Sequence, residues 1–176
     1  MQQAEEIIQD ELVRVAAAGA LAARTAPKAK GEDLLVISVV SGKDKDELAR
    51  HMEDIADQGY QARIFSRDAG NVRRAGAVLL IGTRHRTRGL DCGFCGFPTC
   101  TACTDAGGRC AYDLTDLGIA VGSAVSVVAD HRADSRVMYT VGYAAVKQGL
   151  LGEEVSVALG VPLSGAGKNI FFDRKK

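Results

Sequence analysis

Apolar residues recur at helical spacing over the first stretch of the chain. Ile7, Ile8, Leu12 and Val15 are followed by the alanine-rich run Ala16 to Ala23, with acids in the first turns and Arg24 at the end, as a helix dipole favours. This predicts a first helix to about Arg24, ended by Pro27 and followed by a polar connection from Lys28 to Asp33. The β-branched run LLVISVV, Leu34 to Val40, predicts a strand buried on both faces. After Ser41 and Gly42 a second helix is expected, with Asp44 and Glu47 as a capping box and Leu48, Met52, Ile55 and Ala56 as its inner stripe. His51 reads as a boundary side chain beside that stripe. Gly59 closes the helix, Tyr60 to Phe65 reads as a short strand, and Asp68, Asn71, Arg73 and Arg74 mark a polar or short helical link.

AVLLI, Ala77 to Ile81, predicts a second buried strand. Further on, Asp113 is expected to cap a helix in which Leu114, Leu117, Ile119, Ala120, Val121, Ala124, Val125, Val127 and Val128 leave almost no polar face. A helix apolar all round belongs at the centre of a core. Its glycines, Gly118 and Gly122, read as packing positions. The longest mostly apolar run, Leu117 to Ala129, falls short of the roughly 20 residues of a membrane span. Arg136 to Gly149 predicts one more helix, and Glu154 to Val161 a third strand ended by Pro162. No repeat or linker divides the chain, so one domain, residues 1–176, is expected.

The departure from this regular pattern is Asp91 to Cys110, DCGFCGFPTCTACTDAGGRC, which holds all five cysteines of the protein, Cys92, Cys95, Cys100, Cys103 and Cys110. Clustered thiolates at CxxC spacing surround a soft metal centre, and the usual occupants are zinc or an iron–sulfur cluster. Gly93 and Gly96 each follow a cysteine, where backbone N–H groups can turn onto sulfur, and Phe94, Phe97 and Pro98 are placed to form an apolar lid. Two zinc knuckles are normally a dozen or more residues apart, whereas only four residues separate Cys95 from Cys100 and a fifth cysteine is left over. The stretch therefore suits a cluster better than zinc. TRHRTRG, residues 83 to 89, precedes it and reads as a solvated loop, or as a basic segment that stabilises an anionic cluster and steers an acidic redox partner.

Composition narrows the function. Lys plus Arg equals Asp plus Glu at 22 each, which argues against a nucleic-acid or anionic-membrane surface. With acids rather than a basic, apolar leader near Met1, the chain reads as cytoplasmic, where five clustered cysteines are not expected as disulfides. GAGKN, residues 165 to 169, lacks the first glycine and the hydroxyl of a P-loop, no dinucleotide fingerprint appears, and three dispersed histidines without GxSxG give no hydrolytic triad.

CGFCGFPTC, residues 92 to 100, resembles the CGxCGxPxC run of the small 4Fe-4S domain of the Rnf electron-transport B subunit and of corrinoid iron–sulfur proteins. That resemblance implies Cys92, Cys95 and Cys100 as the first three cluster ligands and Cys110 as the fourth. The interval to Cys110 is shorter than in those domains, which leaves Cys103 as the alternative fourth ligand, otherwise a spare thiol. The run from Asp91 to Arg174, with DLGIAVGSAVSVVADHRADSRVMYTVGYAA and GVPLSGAGKNIFFDR, is similar to an uncharacterised prokaryotic family described as containing a ferredoxin domain.

AARTAPKAKGEDLLVISVV, residues 22 to 40, with RRAGAVLLI, the DLGIA helix and the late VALGVP strand, resembles the nitroreductase scaffold. This implies an α+β fold, a central mixed sheet flanked by helices, and a homodimer. Nitroreductases hold FMN through an Arg-rich segment before the first long helix and through Ser, Asn and Gln after the Ala-Pro turn. Here Lys28, Lys30, Gly31 and Glu32 follow Pro27, so no flavin held in that manner is expected. The reading is an iron–sulfur protein with one 4Fe-4S cluster, which passes electrons to a redox partner protein or senses redox state. The alternatives are a redox enzyme in which the cluster serves a flavin or small-molecule site built by the 83 to 89 and 164 to 169 loops, and a zinc-stapled structural domain.

Overall fold

The computed structural model describes residues 3–172. In chain order the elements are α1 (Ala4–Thr25), a 3-10 turn (Ala29–Gly31), β1 (Leu35–Ser41), α2 (Gly42–Asp57), α3 (Ala62–Arg74), β2 (Ala77–Arg84), α4 (Cys100–Asp105), α5 (Ala111–Asp130), β3 (Asp134–Ser135), α6 (Tyr139–Lys147) and β4 (Val155–Ser164). The strands form one sheet in the order β1-β2-β4-β3.

The sheet is antiparallel throughout, not mixed as expected. The reason lies between β1 and β2. Tyr60 to Phe65 is not a strand. The chain turns at Gln61, φ +44°, directly into the 13-residue helix α3. Two helices now separate the strands, one leading away and one returning, so β2 runs opposite to β1. Phe65, Ala69 and Val72 carry the signal for α3 at spacings of four and three, and all are fully buried.

Apolar side chains fill both faces of the sheet. One core joins Val40, Val78, Leu80 and Ala158 to α2, α3 and α6 through Leu48, Met52, Phe65, Val72 and Val141. The other joins Leu35, Leu79, Ile81, Val161 and Leu163 to α1 and α5 through Leu12, Val15, Leu117, Ala124 and Val128. Each fully buried Leu, Ile or Phe contributes about 1.5–3 kcal/mol, so β2, the inner strand between these cores, is the element with most to lose.

Several expectations change. β1 is an edge strand, so four of its middle positions are only half-buried rather than covered on both faces. Ser41 occupies the cap position of α2 and makes no side-chain cap bond, so Asp44 and Glu47 form no capping box. Pro162 does not end β4, which continues to Ser164 with Pro162 opposite Val78. Gly160 exchanges backbone hydrogen bonds with Met138 (2.8 and 3.0 Å), on the side away from β2. Pro162, two residues on, has its missing N–H on that same side, where the β2 ladder does not need it. α6 begins at Tyr139, because Asp134 and Ser135 first pair with β4.

α5 is longer than the apolar run, and by length and composition it could cross a membrane. It is a core helix on one side only. Leu117, Ala120, Val121, Ala124 and Val128 face inward, while Leu114 (42 % exposed), Ile119 (41 %), Gly118 and Gly122 are open. A Cβ added at either glycine would meet nothing within 4 Å, so within the chain they are not close-packing positions.

Candidate metal centre

β2 delivers the chain to the site and α5 carries it away. Between them the thiols of Cys92, Cys95, Cys100, Cys103 and Cys110 all line one small cavity, together with Thr87, Arg88, Leu90, Phe97 and Tyr112. Cys92 is exposed, Cys95 and Cys100 are half-buried, and Cys103 and Cys110 are buried.

Backbone geometry makes this possible. Gly93 (φ +72°) and Gly96 (φ +84°) turn the loop through the left-handed region that a side chain disfavours, and Gly96 N–H donates to Gly93 C=O at 2.9 Å. Asp91, itself at φ +46°, clamps the loop against α4. Its carboxylate accepts from Cys100 N–H (2.6 Å) and its own N–H donates to Cys100 Sγ (3.4 Å). Thr99 caps α4, its hydroxyl accepting from Ala102 N–H at 3.1 Å. On the short helix so started, Cys103 points inward and has no exposed surface. A Cβ at Gly108 would come within 2.7 Å of the Phe97 ring and 3.0 Å of Cys103 Sγ, so the absence of a side chain there lets this layer close. Cys110 stands at the cap position of α5, which brings a 20-residue helix N-terminus to the thiols. Such a terminus favours negative charge.

Burial pushes the Cys103 thiol up from its ordinary value of 9.0, and a hydrogen bond with Cys95 and the nearby Cys110 and Cys100 sulfurs add to this. Among the described residues, no three histidine, cysteine or carboxylate side chains converge as ligands of a single ion.

The aromatic lid is only partly as expected. Phe97 forms part of the cavity wall, but Pro98 is exposed, and Phe94 turns outward, 74 % exposed and stacked on Tyr112 with 5.7 Å between ring centroids.

The basic segment behaves differently from a solvated loop at one position. Arg88 is 2 % exposed. It ion-pairs with Asp116 (2.7 Å), Asp113 (3.2 Å) and Glu32 (3.8 Å), and it donates to Glu32 C=O at 2.9 Å. Asp116 also accepts from Ala29 N–H at 3.1 Å, and Asp113 from Arg86 N–H at 3.1 Å. Asp113 is therefore not the helix cap; it ties the basic loop to the first turn of α5. Burial pushes its carboxyl above the ordinary 3.8, against the pull of the Arg86 amide and the Arg88 charge. Sequence reasoning missed this network and the Asp91 clamp. Its visible trace was Asp113 and Asp116, one helical turn apart in an otherwise apolar helix.

The two loops once expected to build a joint small-molecule site lie at opposite ends of β2. Ala77 pairs with Leu163, next to the 164 to 169 loop, whereas Arg84 leads into the cysteine loop, about 23 Å away at the usual rise per strand residue. Ser164 to Gly167 line a separate groove with Lys45, Arg73 and Arg74.

The model of a family described as "Uncharacterized protein containing a ferredoxin domain (DUF2148)" matches residues 106–174, a segment that takes in Cys110, α5, α6 and β4. A protein of Archaeoglobus fulgidus, described as an uncharacterized protein, is 43% identical over 180 residues, covering 97% of this chain and 96% of its own length. The chain belongs to the same family as this archaeal protein, and its segment 106–174 is similar to the ferredoxin-domain family.

Its fold is shared more widely. The nitroreductase CinD from Lactococcus lactis, in complex with nicotinic acid, superposes with a TM-score of 0.61 at 12% identity, over 96% of this chain and 83% of that one. The FMN-dependent nitroreductase NfnB from Mycobacterium smegmatis, in complex with NADPH, does so at 0.59 and 14% identity, over 92% and 81%. A BluB-like flavoprotein from Clostridium difficile 630 gives 0.59 at 16%, over 93% and 84%. At such identities the likeness is one of fold, and the α+β architecture of this chain is nitroreductase-like.

Proposed function

We propose that this protein binds one 4Fe-4S cluster in the cysteine loop and passes single electrons to and from a redox partner protein, or senses redox state, with Cys92, Cys95, Cys100 and Cys110 as ligands. The observation that carries this reading is the lining of one cavity by all five thiols at the N-terminus of α5. The donor set is all sulfur, which suits iron–sulfur chemistry. A single zinc staple would use four of these cysteines, whereas all five line the cavity, and the CxxC pairs stand closer in sequence than two zinc knuckles do.

When bound, the cluster supplies a one-electron couple whose potential is set by hydrogen bonds and burial. The chain's own groups do the setting. Asp91 N–H donates to Cys100 sulfur, and Arg88, held by three carboxylates, places a buried cation in the cavity wall. The helix N-terminus at Cys110 offsets further negative charge. Anaerobic purification, followed by metal and acid-labile sulfide analysis, tests the reading. Iron with about equal sulfide is expected, and zinc without sulfide would refute it.

The same reading includes a homodimer in a reducing compartment. Its support is the open side of α5, where Leu114, Gly118, Ile119 and Gly122 leave apolar surface uncovered. Light scattering should give twice the chain mass, and Ile119→Lys should shift it to the monomer.

A further inference from the structure

Five cysteines line a cavity whose proposed occupant has four iron corners, so one of them is in excess. Cys103 approaches from the interior, with no exposed surface, and Cys92 from the mouth, where it is exposed. The neighbours of Cys103 are informative. It lines the cavity together with Cys95, Cys100 and Cys110. These are the three remaining members of the ligand set, so Cys103 already sits among them. Its place is built: Thr99 C=O and Gly108 N–H bond its backbone at 3.1 and 2.8 Å, and the missing side chain of Gly108 leaves room for its sulfur. Cys92 lies between Asp91 (φ +46°) and Gly93 (φ +72°), two residues in a conformation suited to a turn at the loop's outer edge.

Resting on the iron–sulfur reading above, we infer that Cys95, Cys100 and Cys110 hold three corners of the cluster permanently while the fourth is exchangeable between Cys92 outside and Cys103 inside. The exchange balances without an electron. Cys103 loses its thiol proton as its sulfur bonds iron, and Cys92 leaves iron and takes up a proton. The cluster is thereby drawn inward and Cys92 is freed at the surface.

Two experiments decide it. Cys92→Ala, Cys103→Ala and the double variant are reconstituted anaerobically beside the unaltered protein, with folding followed by circular dichroism. Each folded single variant is expected to keep the full iron and sulfide content, and the double variant to fall to an incomplete cluster. Loss of iron in only one single variant, in both, or in neither the singles nor the double, would overturn the exchange.

The second needs no variant. Holoprotein is treated with iodoacetamide, and labelling of Cys92 is compared with iron release. Cys92 is expected to be alkylated with iron retained, and iron release in step with its labelling would overturn the proposal. If the unaltered protein takes up no cluster, the iron–sulfur reading itself falls, and this inference with it.

Discussion

β2 and the loop that follows it are consecutive in sequence and opposite in construction. Seven of the eight residues of β2 are buried, between two apolar cores. Of the fifteen residues from His85 to Thr99, Arg88 alone is buried. β2 is held by area removed from water, a diffuse force to which each side chain adds. The loop is held at a few points, Arg88 in its carboxylates, Asp91 on Cys100 and Thr99 at α4, and by whatever the thiols bind. The difference teaches that the scaffold can persist while the centre is lost, and that the two can be attacked separately.

The largest effect is expected where the two meet. Arg88→Met would leave Asp113 and Asp116 buried without their cation, a change that costs about 3–5 kcal/mol when one partner of a buried pair is removed. Both the urea midpoint and iron retention should fall, because the same side chain anchors loop and helix. Leu80→Ala, inside the strand, should cost about 2–5 kcal/mol. Here iron per folded chain should be unchanged; a proportionate loss of iron would show that the centre depends on the sheet directly.

Asp91→Ala is the converse probe. Losing the carboxylate that accepts from Cys100 N–H should cost about 1 kcal/mol, as for a lost cap. Its larger consequence should be faster iron release to a chelator, which Asp91→Asn should largely reverse. An unchanged release rate would remove the clamp from the account.

The smallest effects are those of pH, and they have opposite signs in the two settings. The Asp113 carboxyl is raised above 3.8 by burial, so between 3.8 and its folded value the folded protein holds the extra proton and stability falls as pH rises. Asp33, beside β1, is pushed up by burial but pulled further down by Arg24, with which it shares a hydrogen bond and ion pair. Its stabilisation is present above 3.8 and is lost as pH falls through its lowered value. In acid titrations of apoprotein stability, Asp113→Asn should abolish the first slope and Asp33→Asn the second. Equal responses would mean that the two carboxyls share one environment.

Much of the scaffold was legible in the sequence. α1, the stripe of α2, both long inner strands and the stop at Gly149 follow from apolar spacing and from turn residues, which act within a few positions of themselves. α3 was misjudged because Ala62 to Arg74 is mostly polar, and its three buried apolar residues were too few to outweigh the β-favouring start at Tyr60. The thiol spacing marked the candidate metal site. What escaped was every partner far along the chain: Arg88 meets Glu32, 56 residues away, and Asp116 meets Ala29, 87 away.

By itself the sequence determined the elements, the two-sided apolar core and the gathering of sulfur on one short loop, because periodicity, glycine conformation and CxxC spacing are local properties of the chain. Only the tertiary structure decided that the sheet is antiparallel, that Arg88 is buried rather than solvated, that one side of α5 is left open, and that Cys103 is buried while Cys92 is exposed. Those outcomes depend on which distant surfaces meet, and burial, which sets the cost of a charge and the direction of a thiol, exists only once they have met.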